Sequence, residues 1–155
     1  MLMLPVSAGA ATLDTLLKGF DDGCDYTVAL DTLLRSSYDF ARGQGSLKIP
    51  PAYALLFHAP VVETEGNYLH TVIPVSGTWR GVPVKALDIY ITHDESGFVV
   101  HSVIFEESAT EQAKKTFAAR AKRSNEKLNA GDGAEMNTEF GVFKGKPTLM
   151  CDLST

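Results

Sequence analysis

The chain has 155 residues, the size of one ordinary domain, and its 45% hydrophobic and 21% charged residues are near the average for globular proteins. This composition excludes a disordered chain and a fibrous repeat. With 14 basic against 19 acidic residues the chain is mildly acidic, which argues against a surface built to bind nucleic acid.

The sequence begins with an apolar segment, residues 1–11. Its small residues Ala8-Gly9-Ala10 are typical of the end of a secretory signal, although the positively charged start of such a signal is missing. We interpret the segment either as a signal-peptide remnant or as an N-terminal arm, and we expect an exported protein. No later stretch has the roughly 18 uninterrupted apolar residues that a membrane-spanning helix needs.

Two amphipathic helices are predicted next. The first begins at a Thr12 cap and ends at Asp22-Gly23, with apolar positions at helical spacing: Leu13, Leu16, Leu17 and Phe20. The second follows Asp25 and ends at Arg42-Gly43, with one apolar stripe formed by Tyr26, Leu30, Leu33, Leu34 and Tyr38. Residues 42–51 are a predicted loop. The apolar run 52–59 fits either a short helix begun by Pro51 or a buried strand.

From residue 60 to residue 107 the pattern changes to short β-branched and aromatic segments separated by turn residues. Such a pattern indicates an antiparallel meander. The predicted strands are Val61–Glu65, Tyr68–Val75, Val82–Thr92 and Phe98–Glu106. The clearest turns are Glu65-Gly66-Asn67 and residues 94–97.

The stretch "SGTWRGVPV", residues 76–84, holds the only tryptophan of the chain. If it forms a three-residue hairpin loop with Gly81 in the left-handed conformation, Trp79 and Arg80 project into solvent beside Thr78. Tryptophan and arginine are enriched at binding hot spots, so this tip is a candidate recognition element. Alternatively, the strand alternation continues through Trp79 and places the indole in the core.

A long helix is predicted from Ala109 to Asn129, because Ser108 and Glu111 have the spacing of a capping box and "AGDG" follows. Its apolar stripe is Ala113, Phe117, Ala121 and Leu128. The helix carries six basic side chains against two acidic ones, so Lys115 and Lys122 are candidate contacts to a partner. The remaining sequence predicts a C-terminal β-hairpin that turns at Lys144-Gly145-Lys146.

The two cysteines, Cys24 and Cys151, are predicted to form a disulfide if the protein is exported. A bridge that closes so long a loop contributes roughly 4 to 5 kcal/mol in the loop-entropy account. The alternative is two buried thiols that act as small apolar residues.

The histidines lack the spacing of a metal site. His58, His70, His93 and His101 form no H-x-H pair and no helical i, i+4 pair. His93 and His101, with Asp94 nearby, approach each other only if the register of the hairpin brings them together. The acidic residues Asp21, Asp22 and Asp25 lack the pattern of a calcium loop, and no nucleophile elbow, phosphate loop or dinucleotide motif is present. We therefore predict no catalytic residue, no metal and no cofactor.

The expected fold is a single α+β domain over residues 12–155, with two N-terminal helices, an antiparallel sheet of about four to six strands, one long helix packed on the sheet and a C-terminal β-hairpin. The leading hypothesis for function is a non-enzymatic exported bacterial protein, periplasmic or secreted, that binds another protein, such as an inhibitor or a toxin-immunity factor. The alternative is a carrier or sensor that holds a small apolar ligand between the sheet and the helices. Its expected lining is Tyr53, Phe57, Tyr68, Tyr90, Phe98, Phe105 and Phe117. A third hypothesis is an enzyme that uses His93, Asp94 or His101.

Overall fold

The computed structural model describes residues 11–94, 97–130 and 136–154. The two α-helices are α1, Val28–Ala41, and α2, Thr110–Leu128. The strands are β1 Val61–Glu65, β2 Tyr68–Pro74, β3 Thr78–Trp79, β4 Val82–Thr92, β5 Val99–Phe105, β6 Asn137–Phe143 and β7 Lys146–Asp152. The expected α+β class is therefore confirmed.

The strands form one antiparallel sheet in the order β1-β2-β4-β5-β7-β6, and β3 pairs with β4 beside this path. The sheet has seven strands rather than four to six, because the stretch around Trp79 adds the two-residue strand β3. The predicted C-terminal hairpin is confirmed. Its loop is Lys144-Gly145, and both residues have positive φ values, 52° and 77°, as a tight type I′ hairpin requires.

Both helices lie on the same face of the sheet, α1 over β2 and β4 and α2 over β6 and β7. One row of facing side chains crosses four strands, Ile73, Leu87, Val103 and Leu149, and each is at most 2% exposed. The hydrophobic core therefore sits between this covered face and the helices. Because side chains alternate along a strand, the other residues of the same strands point to the opposite, open face.

The first predicted helix is wrong, and the described residues before the sheet contain one α-helix rather than two. Residues 14–24 form turns and a bend rather than a helix, although Leu13, Leu16, Leu17 and Phe20 are buried as the apolar spacing predicted. Gly19 has a φ of +89°, outside the helical region, and a Cβ there would lie 1.8 Å from the carbonyl oxygen of Asp25. The segment starts as a bridge beside β3, where the Leu13 amide donates to the Thr78 carbonyl over 2.7 Å. The spacing of the apolar residues thus predicted correctly which side chains are buried, but it did not predict the path of the backbone.

The second predicted helix is α1. Its N-cap is Thr27 rather than Asp25, and the Thr27 hydroxyl accepts a hydrogen bond from the Leu30 amide over 3.2 Å while donating one to the Leu16 carbonyl over 3.0 Å. The helix ends at Arg42 and Gly43 as predicted, and Gly43 has a φ of +71°.

The apolar run 52–59 is neither a full helix nor a strand: a 3₁₀ turn spans Pro51–Tyr53 and a single bridge joins Phe57 to Val75.

The predicted long helix is α2, but the expected capping box does not form. Ser108 lies inside a 3₁₀ turn, Glu107–Ala109, and no side chain caps the start of α2. The chain is already wound before the helix begins, so Ser108 is not in the extended conformation that an N-cap needs. The helix buries Ala113, Phe117, Ala121 and Ser124 against the sheet, while Leu128 is only partly buried.

The predicted disulfide between Cys24 and Cys151 is present, with the two Cα atoms 6.2 Å apart. It ties the irregular segment before α1 to β7. Disulfides are typical of oxidising compartments, which is consistent with an extracellular or periplasmic location. No helix among the described residues has the length and apolar character needed to cross a membrane.

Candidate functional site

Trp79 is 1% exposed and lies in an aromatic cluster of the core. Its ring centroid is 4.6 Å from that of Phe117, 6.0 Å from that of Phe20 and 6.3 Å from that of Phe105. The hairpin loop is the two-residue Arg80-Gly81, with φ values of 50° and 78°, rather than a three-residue loop that exposes the indole. Of the two alternatives for Trp79, an exposed hairpin tip and a buried indole, the structure shows the buried indole.

Arg80 is engaged within the molecule. Its guanidinium binds both carboxylate oxygens of Asp21, with Nε 2.8 Å from Oδ2 and Nη2 3.3 Å from Oδ1. Arg120 Nε reaches the same Oδ2 over 2.6 Å, and the Asp21 side chain is fully buried. Two cations thus compensate one buried carboxylate, and they join the N-terminal turns, the β3–β4 loop and α2.

The other predicted contact residues do not form one surface with Trp79. Thr78 is half-buried, and its backbone bonds to Ala11 and Leu13. Lys115 and Lys122 are exposed on the outer side of α2, whereas Trp79 lies beneath that helix.

His101 and His93 do not come together, so these two histidines do not form the zinc site considered for this hairpin. His101 pairs in register with Ile89 and points to the covered face. Its Nδ1 lies 2.9 Å from the Tyr26 hydroxyl and its Nε2 lies 2.6 Å from the Tyr38 hydroxyl. Burial lowers the pKa of His101 to about 4, so the ring is neutral at neutral pH. His93 is exposed.

The open face of the sheet carries a groove of about 590 Å³, which we call the open-face groove. Its centre is formed by Val100, Ser102 and Ile104 of β5, each less than a tenth exposed. Around them lie side chains of the neighbouring strands and loops: Glu63, Glu65, Tyr68, His70, Asp88, Tyr90, Phe98, Phe143, Lys144, Lys146, Thr148, Met150 and Asp152. Its volume is in the range of ligand-binding clefts.

Aromatic side chains line much of this groove. Tyr68 packs on Phe98 with ring centroids 4.7 Å apart, and Tyr68 remains 40% exposed. At the opposite edge Phe143, also 40% exposed, lies over Gly141, since a Cβ at position 141 would come within 2.8 Å of the phenyl ring. Large aromatic groups that are held in place but reachable are typical of binding surfaces.

One end of the groove is acidic and is built around His70. The register places Glu63 of β1 opposite His70 of β2, and His70 opposite Tyr90 of β4. The His70 ring stacks on Tyr90, with centroids 4.0 Å apart and planes 8° apart, and its Nε2 lies 2.9 Å from Asp88 Oδ2. Its Nδ1 lies 3.4 Å from Glu65 Oε1, a contact that pairs opposite charges when the ring is protonated but that does not have the geometry of a hydrogen bond.

The electrostatics of this end favour positive charge. Burial lowers the pKa of His70, but the hydrogen bond to Asp88 and the charges of Asp88 and Glu65 outweigh it, so the pKa lies above its ordinary value. Burial, with the nearby charges of Glu65 and Asp88, raises the pKa of Tyr90 to about 12. The phenol is therefore protonated at neutral pH, so Tyr90 is not a phenolate nucleophile there.

Sequence analysis missed Glu63, Glu65 and Asp88 as site residues. The signal was present, because a two-residue loop at Gly66-Asn67 pairs Glu65 with Tyr68 and hence Glu63 with His70. The partner of His70 on β4 needed a longer-range register, which a sequence pattern does not supply.

Fold and site together define an α+β domain that covers one sheet face with helices and leaves an aromatic groove on the other. Comparisons with protein-family models, curated proteins and solved structures find no match for the chain.

Proposed function

We propose that the protein is a non-enzymatic binding protein of an oxidising compartment, periplasmic or secreted, and that it captures a partner protein in the open-face groove. An inhibitor or a toxin-immunity factor is a protein of this kind. The observation that carries the proposal is the groove itself, which remains accessible on one face while the helices and the N-terminal segment cover the other.

The chemistry of the groove determines the partner segment that fits it. The centre is apolar, and exposed aromatic rings stand at two edges, Tyr68 and Phe143. Lys144 and Lys146 lie at the end remote from His70. We expect the partner to insert apolar side chains over Val100 and to place a carboxylate near the two lysines, an arrangement that fixes its orientation.

The rigidity of the surface also supports binding without chemistry. Most of the groove is built on strands, with Phe98 and Lys144 added from loops, and those strands are backed by the packed core and by the disulfide. A surface that does not reorganise loses little entropy when a partner binds.

The carrier alternative, as a cavity between sheet and helices, has little support. Of the seven aromatic residues expected to line it, Phe105 and Phe117 belong to the packed core, whereas Tyr68, Tyr90 and Phe98 line the open face. A small apolar ligand would instead have to bind in the open-face groove. The experiment below also tests for such a ligand.

The test is site-specific photo-crosslinking in the native cell envelope and culture fluid. A photoreactive phenylalanine analogue replaces Tyr68 or Phe143 in the groove, or one of the two exposed lysines Lys115 and Lys122 on α2. We expect one protein adduct from the two groove positions and none from the other two. The identified partner is then purified and its affinity for Tyr68→Ala and Phe143→Ala is compared with that for Lys115→Ala.

The expected result is weaker binding by both aromatic variants, at least about tenfold for a hot-spot residue, with unchanged binding by the lysine variant. Adducts from Lys115 or Lys122 instead would move the interface to α2 and away from the groove. A small molecule that native mass spectrometry finds bound, and that Tyr68→Ala releases, would replace the proposal with the carrier function.

A further inference from the structure

Three potential metal ligands converge at the acidic end of the groove. Glu63 and Glu65 are two positions apart on β1 and point to the same face, and His70 lies across from Glu63 on β2. One ligand atom from each of the three residues lies within 4.8 Å of the others. Exposed carboxylates often cluster without any ion, so the acidic pair alone identifies no site.

His70 supplies an independent observation. Its ring is 8% exposed, and Nδ1 has no hydrogen-bond partner among the described residues. A buried polar atom without a partner is rare in native proteins and requires a physical reason. Here the nitrogen lies 3.4 Å from the nearer carboxylate oxygen of Glu65.

The contact at Nε2, on the opposite side of the ring, determines whether Nδ1 carries a proton or a lone pair. Asp88, whose carboxylate accepts a hydrogen bond, lies 2.9 Å from Nε2 and so keeps the proton on that nitrogen. In the neutral ring Nδ1 then carries a lone pair, and this lone pair faces carboxylate oxygens, which are also electron-pair donors. Donors that converge in this way repel one another unless a proton on Nδ1 or a metal ion lies between them. A carboxylate that holds the far nitrogen of a ligating histidine is the usual support of protein metal sites.

We propose that Glu63, Glu65 and His70 bind a divalent transition-metal ion of the zinc class, with His70 ligating through Nδ1 and Asp88 orienting the imidazole. One nitrogen and two carboxylate ligands suit zinc, and an imidazole ligand disfavours calcium and magnesium. Because the three ligands come from the two outermost strands at one edge and face the groove, a further coordination position is open to water or to a bound molecule. The inference does not rest on the proposed function, because the isolated chain tests it.

The test is isothermal titration of the full, disulfide-bonded chain with zinc ions. We expect saturable binding of one ion, weakened at least about tenfold in the Glu63→Gln, Glu65→Gln double variant and in His70→Gln. By the same argument Asp88→Asn weakens binding by about 10- to 100-fold. Glu139→Gln, which changes an exposed carboxylate of β6, and His58→Gln and His93→Gln, which change exposed histidines, are the matched controls.

The nitrogen assignment is checked separately by ¹⁵N NMR of the His70 side chain. Zinc should shift the Nδ1 resonance strongly while Nε2 keeps its proton. If His70→Gln does not fold, the double glutamine variant carries the test, since both of its glutamates are exposed. The proposal is overturned if zinc does not bind saturably, if the double variant binds as well as the parent chain, or if binding is lost on replacing His58 or His93.

Discussion

Among single residues, Trp79 is held by neighbours from three parts of the chain: Phe20 before α1, Phe105 on β5 and Phe117 on α2. Its role follows from this packing and not from its residue type. The neighbouring Arg80 likewise neutralises the buried Asp21 carboxylate. Tryptophan and arginine are enriched at interfaces, but here Trp79 packs within the core and Arg80 binds a buried carboxylate.

The core position of Trp79 gives a prediction for stability. Trp79→Ala should lower the free energy of unfolding by about 3 to 5 kcal/mol, because it removes a large buried side chain and leaves a cavity. Urea denaturation followed by circular dichroism measures the change. Phe143→Ala, which truncates an exposed aromatic residue, serves as the control and should change stability little. An unaltered urea midpoint for Trp79→Ala would mean that the indole is not in the core in solution.

His101 gives a prediction for pH dependence. Its pKa is about 4 in the folded chain and about 6.5 when unfolded, so below pH 6.5 the unfolded state binds the proton more readily. The neutral ring therefore contributes stability that is fully present above about pH 6.5 and is lost as the pH falls to about 4, in total about 3 kcal/mol.

The measurement compares unfolding free energies at pH 7.5 and pH 4.5 for the parent chain and for His101→Gln. The parent should lose more stability than the variant, whereas His93→Gln, at an exposed position, should behave like the parent. His70 has a raised pKa and acts in the opposite direction, but it is common to all three proteins and cancels. Equal losses in parent and His101→Gln would show that His101 is not the group responsible.

At the scale of elements, the segment before α1 depends on Gly19. Gly19→Ala should destabilise the fold by more than the roughly 1 to 2 kcal/mol that a left-handed backbone conformation costs a residue with a Cβ, because the new methyl group also meets the Asp25 carbonyl oxygen. Gly43→Ala is the matched control, since Gly43 also has a positive φ but has open space around it. Comparing the thermal unfolding of the two variants separates the cost of the positive φ from the cost of the clash with the Asp25 carbonyl oxygen. Equal losses would argue against the close approach at Gly19.

Strands were more predictable from the sequence than the N-terminal segment. β1 and β4 begin and end at the predicted residues, because turn residues such as Gly66 mark their ends and β-branched residues fill them. Around Phe20, helical spacing identified the buried side chains, but it does not distinguish a helix from successive turns that bury the same residues. Two features separate a helix from these turns: the positive φ of Gly19, which lies against the Asp25 carbonyl, and the hydrogen bond from the Leu13 amide to the Thr78 carbonyl. Neither is visible in the spacing of apolar residues.

At the scale of the whole molecule, the disulfide joins two regions separated by 127 positions. The Cys24→Ser, Cys151→Ser double variant should lose up to about 5 kcal/mol, because the unfolded chain regains the freedom that the closed loop denies it. Denaturation of the variant, and of the parent chain under reducing conditions, should give the same lowered midpoint. A parent chain insensitive to reductant, with the bond verified as broken by thiol titration, would contradict this account.

The candidate site was less accessible to sequence analysis than the fold. The predicted pairing of Cys24 with Cys151 needed only the count of two cysteines and the expectation of export. The acidic end of the groove needed the register between β2 and β4, since Asp88 is eighteen positions from His70. Registers of this kind arise from packing of the whole sheet, so the site becomes visible only when the sheet is assembled.

The link between Cys24 and Cys151 also imposes an order of events on biosynthesis. The thiol at position 24 is made early, whereas its partner belongs to β7, the last strand of the sheet. All the described helices and strands before β7 must therefore be synthesised before oxidation can join the two thiols.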